Sequence, residues 1–200
     1  MTDAGRVIAG SAKGVRLAAP GPGTRPLGDR VKQTLFAVLD PEIRDAVVLD
    51  LFAGSGAGGI EALSRGAARA VFVEKDGGAA RVIAENLRRA DLTARGLIVK
   101  RDAIAWLADP AGAAAAGPFD VVLLDPPYAD SGALLRALDL VGVHLAQRGV
   151  VIAKHFWRDA PPVESGLLAS ARVRRFGETA LTFYRHRDTV PPEREEEGGQ

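Results

Sequence analysis

The chain has 200 residues, 47% of them hydrophobic, which is enough for one domain with a core, and no run of about 18 apolar residues that would cross a bilayer. It contains no cysteine, which excludes a disulfide framework, a thiolate zinc site and a cysteine nucleophile. The net charge of +1 conceals basic ends over residues 1–32 and 172–187 and an acidic stretch over 188–200; basic ends suit a polyanionic partner or a solvated basic surface.

MTDAGRVIAG lacks the basic-then-apolar layout of a secretory signal, so a cytoplasmic, membrane-free protein is expected. Residues 5–9 and 15–18 are β-prone around SAKG and predict a hairpin, followed by the Pro- and Gly-rich loop APGPGTRPLG. Asp29 reads as the cap or first-turn acid of a helix whose apolar residues Val31, Leu35 and Val38 or Leu39 keep near-helical spacing until Pro41, its expected end. From residue 46 the texture alternates. VVLDLF, ARAVFVEKD, GLIVKRDA, FDVVLLD and RGVVIAKHF read as strands, separated by the helical segments IEALSRG, GGAARVIAENLRRADL, AIAWLAD and SGALLRALDLVGVHL. AGAAAAGP reads as a loop. Apolar strands alternating with helices predict a doubly wound, mostly parallel α/β sheet covered on both faces. ASARVRRFG and ETALTFYR add an antiparallel pair, making seven strands. The expected organisation is a basic N-terminal hairpin and loop over 1–27, an α/β domain over 28–187 and a disordered acidic tail over 188–200. His144, His155 and His186 have no metal-site spacing, and no metal is expected.

Gly54, Gly56 and Gly59 in VVLDLFAGSGAGG follow a strand and open a helix. Glycines there allow a tight turn and close backbone approach to a ligand. Glu74 ends the next strand, where a carboxylate can bind both hydroxyls of a ribose. The glycine pattern fits a nicotinamide dinucleotide or S-adenosylmethionine (SAM). Asp50, just before Phe52 and the glycines, favours SAM: it would repel a pyrophosphate and can accept from an ammonium group. Asp102 can accept from an adenine amino group, cap the helix AIAWLAD, or do both.

The fourth strand of the alternating series runs into Asp125, Pro126, Pro127 and Tyr128. An exocyclic base amine is a poor nucleophile, because its lone pair is delocalised into the ring. Acceptors on both N–H groups would aim that lone pair at an electrophilic methyl. The Asp125 carboxylate and the Pro126 carbonyl supply two, and proline's fixed φ holds that carbonyl in place. Tyr128 can stack on the base, which must first be extruded from its neighbours.

DLFAGSGAGGIEALSRGA, EKD, RDA and LLDPPY resemble a class I SAM-dependent methyltransferase. RVIAGSAKGVRL, TRPLGDRVKQTLF and FGETALTFY narrow the resemblance, over residues 5–187, to the ribosomal small-subunit methyltransferase D family. The resemblance implies methylation of the N2 amine of a guanine in 16S rRNA, with S-adenosylhomocysteine as product. It implies a cofactor pocket of Asp50, Phe52, Gly54, Gly56, Glu74, Lys75, Asp102, Ala103 and Asp125, and a reaction centre of Asp125, Pro126 and Tyr128. Arg25, Asp29 and Arg30 would lie near the mouth; Arg6, Lys13 and Arg16, with Arg25 and Arg30, would meet RNA. The partner would be 16S rRNA or the assembling small subunit, bound by a monomer. Many relatives carry an acid where this chain has Lys154; the change is expected to leave methyl transfer untouched and to alter only substrate contacts near that strand. A methyltransferase acting on adenine N6, cytosine N4 or protein glutamine, a nicotinamide-dependent oxidoreductase, and a non-catalytic SAM-binding assembly factor are the rivals.

Overall fold

The structure is a computed structural model that describes residues 3–21, 29–109, 111–127 and 131–190. A hairpin of β1 (Asp3–Arg6) and β2 (Arg16–Ala18) precedes α1 (Asp29–Ile43). Next come β3 (Val47–Leu51), α2 (Ala57–Ser64), β4 (Arg69–Val73), α3 (Gly77–Arg89) and β5 (Gly96–Val99). After α4 (Ala103–Leu107) and α5 (Ala113–Ala116) come β6 (Phe119–Leu124), α6 (Ser131–Val141) and β7 (Leu145–Phe156). β8 (Glu164–Ser165), β9 (Leu168–Phe176) and β10 (Thr179–His186) close the described chain.

β3 to β10 form one sheet in the order β5-β4-β3-β6-β7-β10-β9-β8, parallel from β5 to β7 and antiparallel beyond. All seven expected strands are present, and the expected count is corrected by one. β8 is a two-residue edge piece paired to Ala169 and Leu168, too short to show any alternation in sequence. The parallel strands are apolar throughout because each face has its own cover. On one face Val48, Phe72, Val121, Leu123 and Ile152 pack with Leu35, Phe36, Ile60 and Ile83 of α1, α2 and α3. On the other, Leu49, Leu51, Val71, Val122 and Val151 pack with Trp106, Ala113, Leu134 and Leu138 of α4, α5 and α6.

Two local expectations are corrected. α1 runs past Pro41 to Ile43, which is 1% exposed and anchored in the core. The carbonyl that a proline N–H would have served belongs to Ala37; both residues are exposed, so water can take it. The expected loop AGAAAAGP contains α5, because alanine favours helix and Ala113 and Ala116 find apolar partners.

The hairpin is sewn into the body. Ala4, Val7, Ala12 and Leu17 belong to the same apolar cluster as α1 and α2. Glu61 of α2 accepts from the backbone N–H of Ile8 (2.7 Å) and Ala9 (3.1 Å) and pairs with Arg65 at 2.8 Å. Asn86 of α3 accepts from Ala18 N–H and donates to the carbonyls of Ala18 and Ser55, tying the hairpin to the turn after β3.

Register fixes what emerges at the carboxyl edge of the sheet. Val73, Leu51, Leu124 and Ala153 are cross-strand neighbours, so Glu74, Phe52, Asp125 and Lys154 emerge side by side. Lys154 continues the row through Leu181 to Arg174. Strand order reverses between β3 and β6, so Phe52 and Asp125 stand at the usual ligand position in such sheets.

Candidate active site

The turn after β3 folds back within five residues: Phe52, Gly54 and Gly56 have φ of 60, 55 and 74 degrees. A left-handed Phe52 is strained, and strain of this kind collects at ligand sites. A Cβ placed on Gly54 would come no nearer than 3.9 Å to Phe52 O, so this glycine faces open space. A Cβ on Gly59 would lie 2.4 Å from the Phe72 ring. Gly54 thus leaves room for a ligand, whereas Gly59 lets α2 sit on the sheet.

Glu74 binds this turn directly, accepting from Gly54 N–H at 2.9 Å and from Asp76 N–H at 2.8 Å. A carboxylate has about four acceptor positions, so the ribose role remains open to it. Lys75 beside it is exposed. Asp50, 4% exposed, accepts from Gly59 N–H at 2.8 Å near the start of α2. Burial pushes its carboxyl up to about 7 against the lowering effect of that hydrogen bond, and the nearby Asp125 and Glu74 charges push the same way. Asp102 caps α4, accepting from Ile104 and Ala105 N–H, both on Oδ1; Ala103, the first residue of α4, is buried. Both readings of Asp102 survive.

At the tip of β6, Asp125 meets Lys154. The Nζ lies 2.7 Å from Oδ1 and donates to Oδ2 at 2.9 Å, with the side chains 9% (Lys154) and 29% (Asp125) exposed. Burial raises the Asp125 carboxyl above its ordinary range, and Lys154 opposes that rise. Lys154, expected to alter only substrate contacts, thus also grips the carboxylate expected to face the target amine. A lysine interrupting the apolar run VVIAKHF was the available signal, since a buried cation needs a partner. Pro126 is buried beside Asp125. Tyr128, Arg25 and the side chain of Arg30 lie outside the described residues.

Among the hairpin cations, Arg6 pairs with Asp29 at 3.5 Å, Arg16 pairs with Asp3 at 2.9 Å, and Lys13 is exposed. Asp29 also lies 3.6 Å from the buried Lys32, which donates to Arg6 O. Sequence reasoning missed the pairing of Lys154 with Asp125, and Glu61 and Asn86 altogether. A cleft of about 770 Å³ lies at the other end of the sheet, lined by Arg44, Asp45, Asp120, Arg148 and Arg185 among others. It sits at the amino ends of β3 and β6, away from the strand reversal, and is set aside as the reaction site.

The family model described as "Conserved hypothetical protein 95" matches residues 5–185. A Bacillus subtilis (strain 168) protein named "Putative rRNA methyltransferase YlbH" is 37% identical over 185 residues, 91% of this chain and 99% of the relative. The Escherichia coli (strain K12) protein named "Ribosomal RNA small subunit methyltransferase D" is 43% identical over 125 residues, 62% of this chain and 60% of the relative. Among solved structures, "Putative methyltransferase yhhF from Escherichia coli" superposes with a TM-score of 0.79 at 32% identity, covering 90% of this chain and 97% of that one.

Proposed function

Since the chain belongs to the ribosomal RNA small-subunit methyltransferase D family, we propose that it methylates the exocyclic N2 amine of a guanine in 16S rRNA. SAM dependence and the class I methyltransferase fold come with the family. The observation that carries the finer reading is the Asp125–Lys154 pair beside the glycine turn, at the strand reversal.

The residues fit the cofactor. Open space at Gly54 admits its backbone-hugging part, and Glu74 at the same turn suits the ribose. Asp50 suits the ammonium of the aminoacyl arm, and Asp102 with Ala103 suits the adenine. When bound, SAM supplies a methyl on a sulfonium, an electrophile whose leaving group is a neutral thioether. The chain's own residues do the rest. Asp125 accepts one N–H of the guanine amine and the Pro126 carbonyl the other, turning the lone pair toward the methyl. Lys154 holds the carboxylate in one orientation and favours its ionised form against burial. Each carboxylate oxygen keeps a lone pair for substrate while it receives the ammonium. Asp125 then takes the released proton, directly or through water.

Incubation with methyl-labelled SAM and undermodified small subunits or naked 16S rRNA, followed by nucleoside analysis, tests the reading. The expected product is N2-methylguanosine at one position. Label in adenine, cytosine or protein glutamine would overturn the choice of nitrogen.

A further inference from the structure

The basic stretch over 172–187 divides on folding. Arg185 is held by Glu42 at 2.7 Å and Arg187 lies 3.4 Å from Glu164, away from the reaction edge. Arg172, Arg174 and Arg175 stand exposed on β9, whose residues 171 to 175 are all exposed. Arg174 lies opposite Leu181, and Leu181 lies opposite Lys154, so Arg174 occupies the same cross-strand row and face as the reaction-centre lysine. At about 4.8 Å per strand, its Cα is roughly 10 Å from that of Lys154. Arg172 sits opposite Phe183, one pleat back on the same face. At the tip, Arg175, opposite Ala180 and therefore on the other face of β9, stacks with Arg158 on Trp157, their guanidinium carbons 3.6 and 4.9 Å from the ring centroid.

An edge strand with three arginines resists pairing with other sheets, which explains charge but not its placement. Guanidinium groups suit phosphates. From these positions we infer that the face of β9 carrying Arg172 and Arg174 forms a second RNA-binding wall, which holds the single-stranded rRNA flanking the extruded guanine. Arg172 and Arg174 take its phosphates. The inference rests on the rRNA reading above and adds the surface that positions the substrate. The acids nearby are Glu178 in the β9–β10 turn and Asp159 after Trp157, both exposed; neither lies in the Lys154–Arg174 row.

Fluorescence anisotropy with unmodified 16S rRNA fragments, run from low to moderate salt, tests the wall without requiring turnover. R172E/R174E should weaken binding about tenfold or more near 0.1 M salt and reduce the slope of log K against log salt by about 1–2. SAM affinity and thermal stability should match wild type. The control R44E/R148E makes the same charge change at the opposite end of the sheet and should bind nearly as wild type. R172E/R174E binding equal to wild type, or a loss no larger than the control's, overturns the wall, whether or not the wild-type protein methylates. Failure of wild-type protein to methylate any small-subunit RNA overturns the substrate reading, whatever β9 binds.

Discussion

Lys154→Met leaves Asp125 in the same low-dielectric tip but without the ammonium that opposes burial. Burial raises the folded-state carboxyl, Lys154 lowers it, and only the ionised form accepts both a substrate N–H and later a proton. Removing the lysine lifts the carboxyl further, so the acid limb of the kcat/KM profile should move to higher pH, with activity recovering above it. Lys154→Arg should restore much of the wild-type profile; an unmoved limb in Lys154→Met would refute the role. Asp50 makes a separate prediction. Its carboxyl is raised from 3.8 to about 7, so the folded protein holds a proton that the unfolded chain releases. That contribution to stability is complete below about pH 4 and is lost as pH rises through about 7. An ammonium ligand favours the ionised form, so SAM affinity should rise as pH climbs from about 5.5 to 7.5, below the α-amino pKa. Asp50→Asn should flatten that rise, as calorimetry across the range would read.

At the scale of elements, the strand–turn–helix unit of β3 and α2 separates ligand approach from packing. Gly59→Ala puts a Cβ 2.4 Å from the fully buried Phe72 ring. It should cost about 1–3 kcal/mol in denaturant unfolding through overpacking. Gly54→Ala meets nothing nearer than 3.9 Å in the protein but carries φ of 55 degrees. It should cost about 1 kcal/mol of backbone strain. Its larger effect should be a drop of about tenfold or more in SAM affinity, roughly 1.4 kcal/mol or above. If Gly54→Ala binds SAM as wild type, the turn does not face the cofactor. α2 is buried along its whole length, with Glu61 in the middle serving two hairpin N–H groups. The hairpin is therefore part of the scaffold that holds the glycine turn, whatever its exposed cations bind.

For the whole molecule, SAM at about 100 times its Kd should add about 2.7 kcal/mol and raise Tm by several degrees, while NAD at the same concentration should not. Much of this architecture is legible in the sequence, because parallel strands bury both faces and announce themselves as unbroken apolar runs. The glycine turn and DPP are legible because their chemistry is local. Lys154 meeting Asp125 across 29 residues is not, since nothing local records which strands become neighbours. β8 and α5 are too short for periodicity to register, and Glu61 looks like any surface glutamate until the hairpin lies on it. The convergence of Arg174 on the Lys154 row likewise depends on two antiparallel registers.

The central claim is that an ion-paired Asp125 at the strand reversal holds the target amine for methyl transfer. Asp125→Asn keeps the side chain's shape but removes the charge, and single-turnover transfer to 16S rRNA with parallel SAM calorimetry tests it most directly. The account predicts a fall of about 10²-fold or more in the transfer rate with SAM affinity close to wild type. Transfer at the wild-type rate would contradict it.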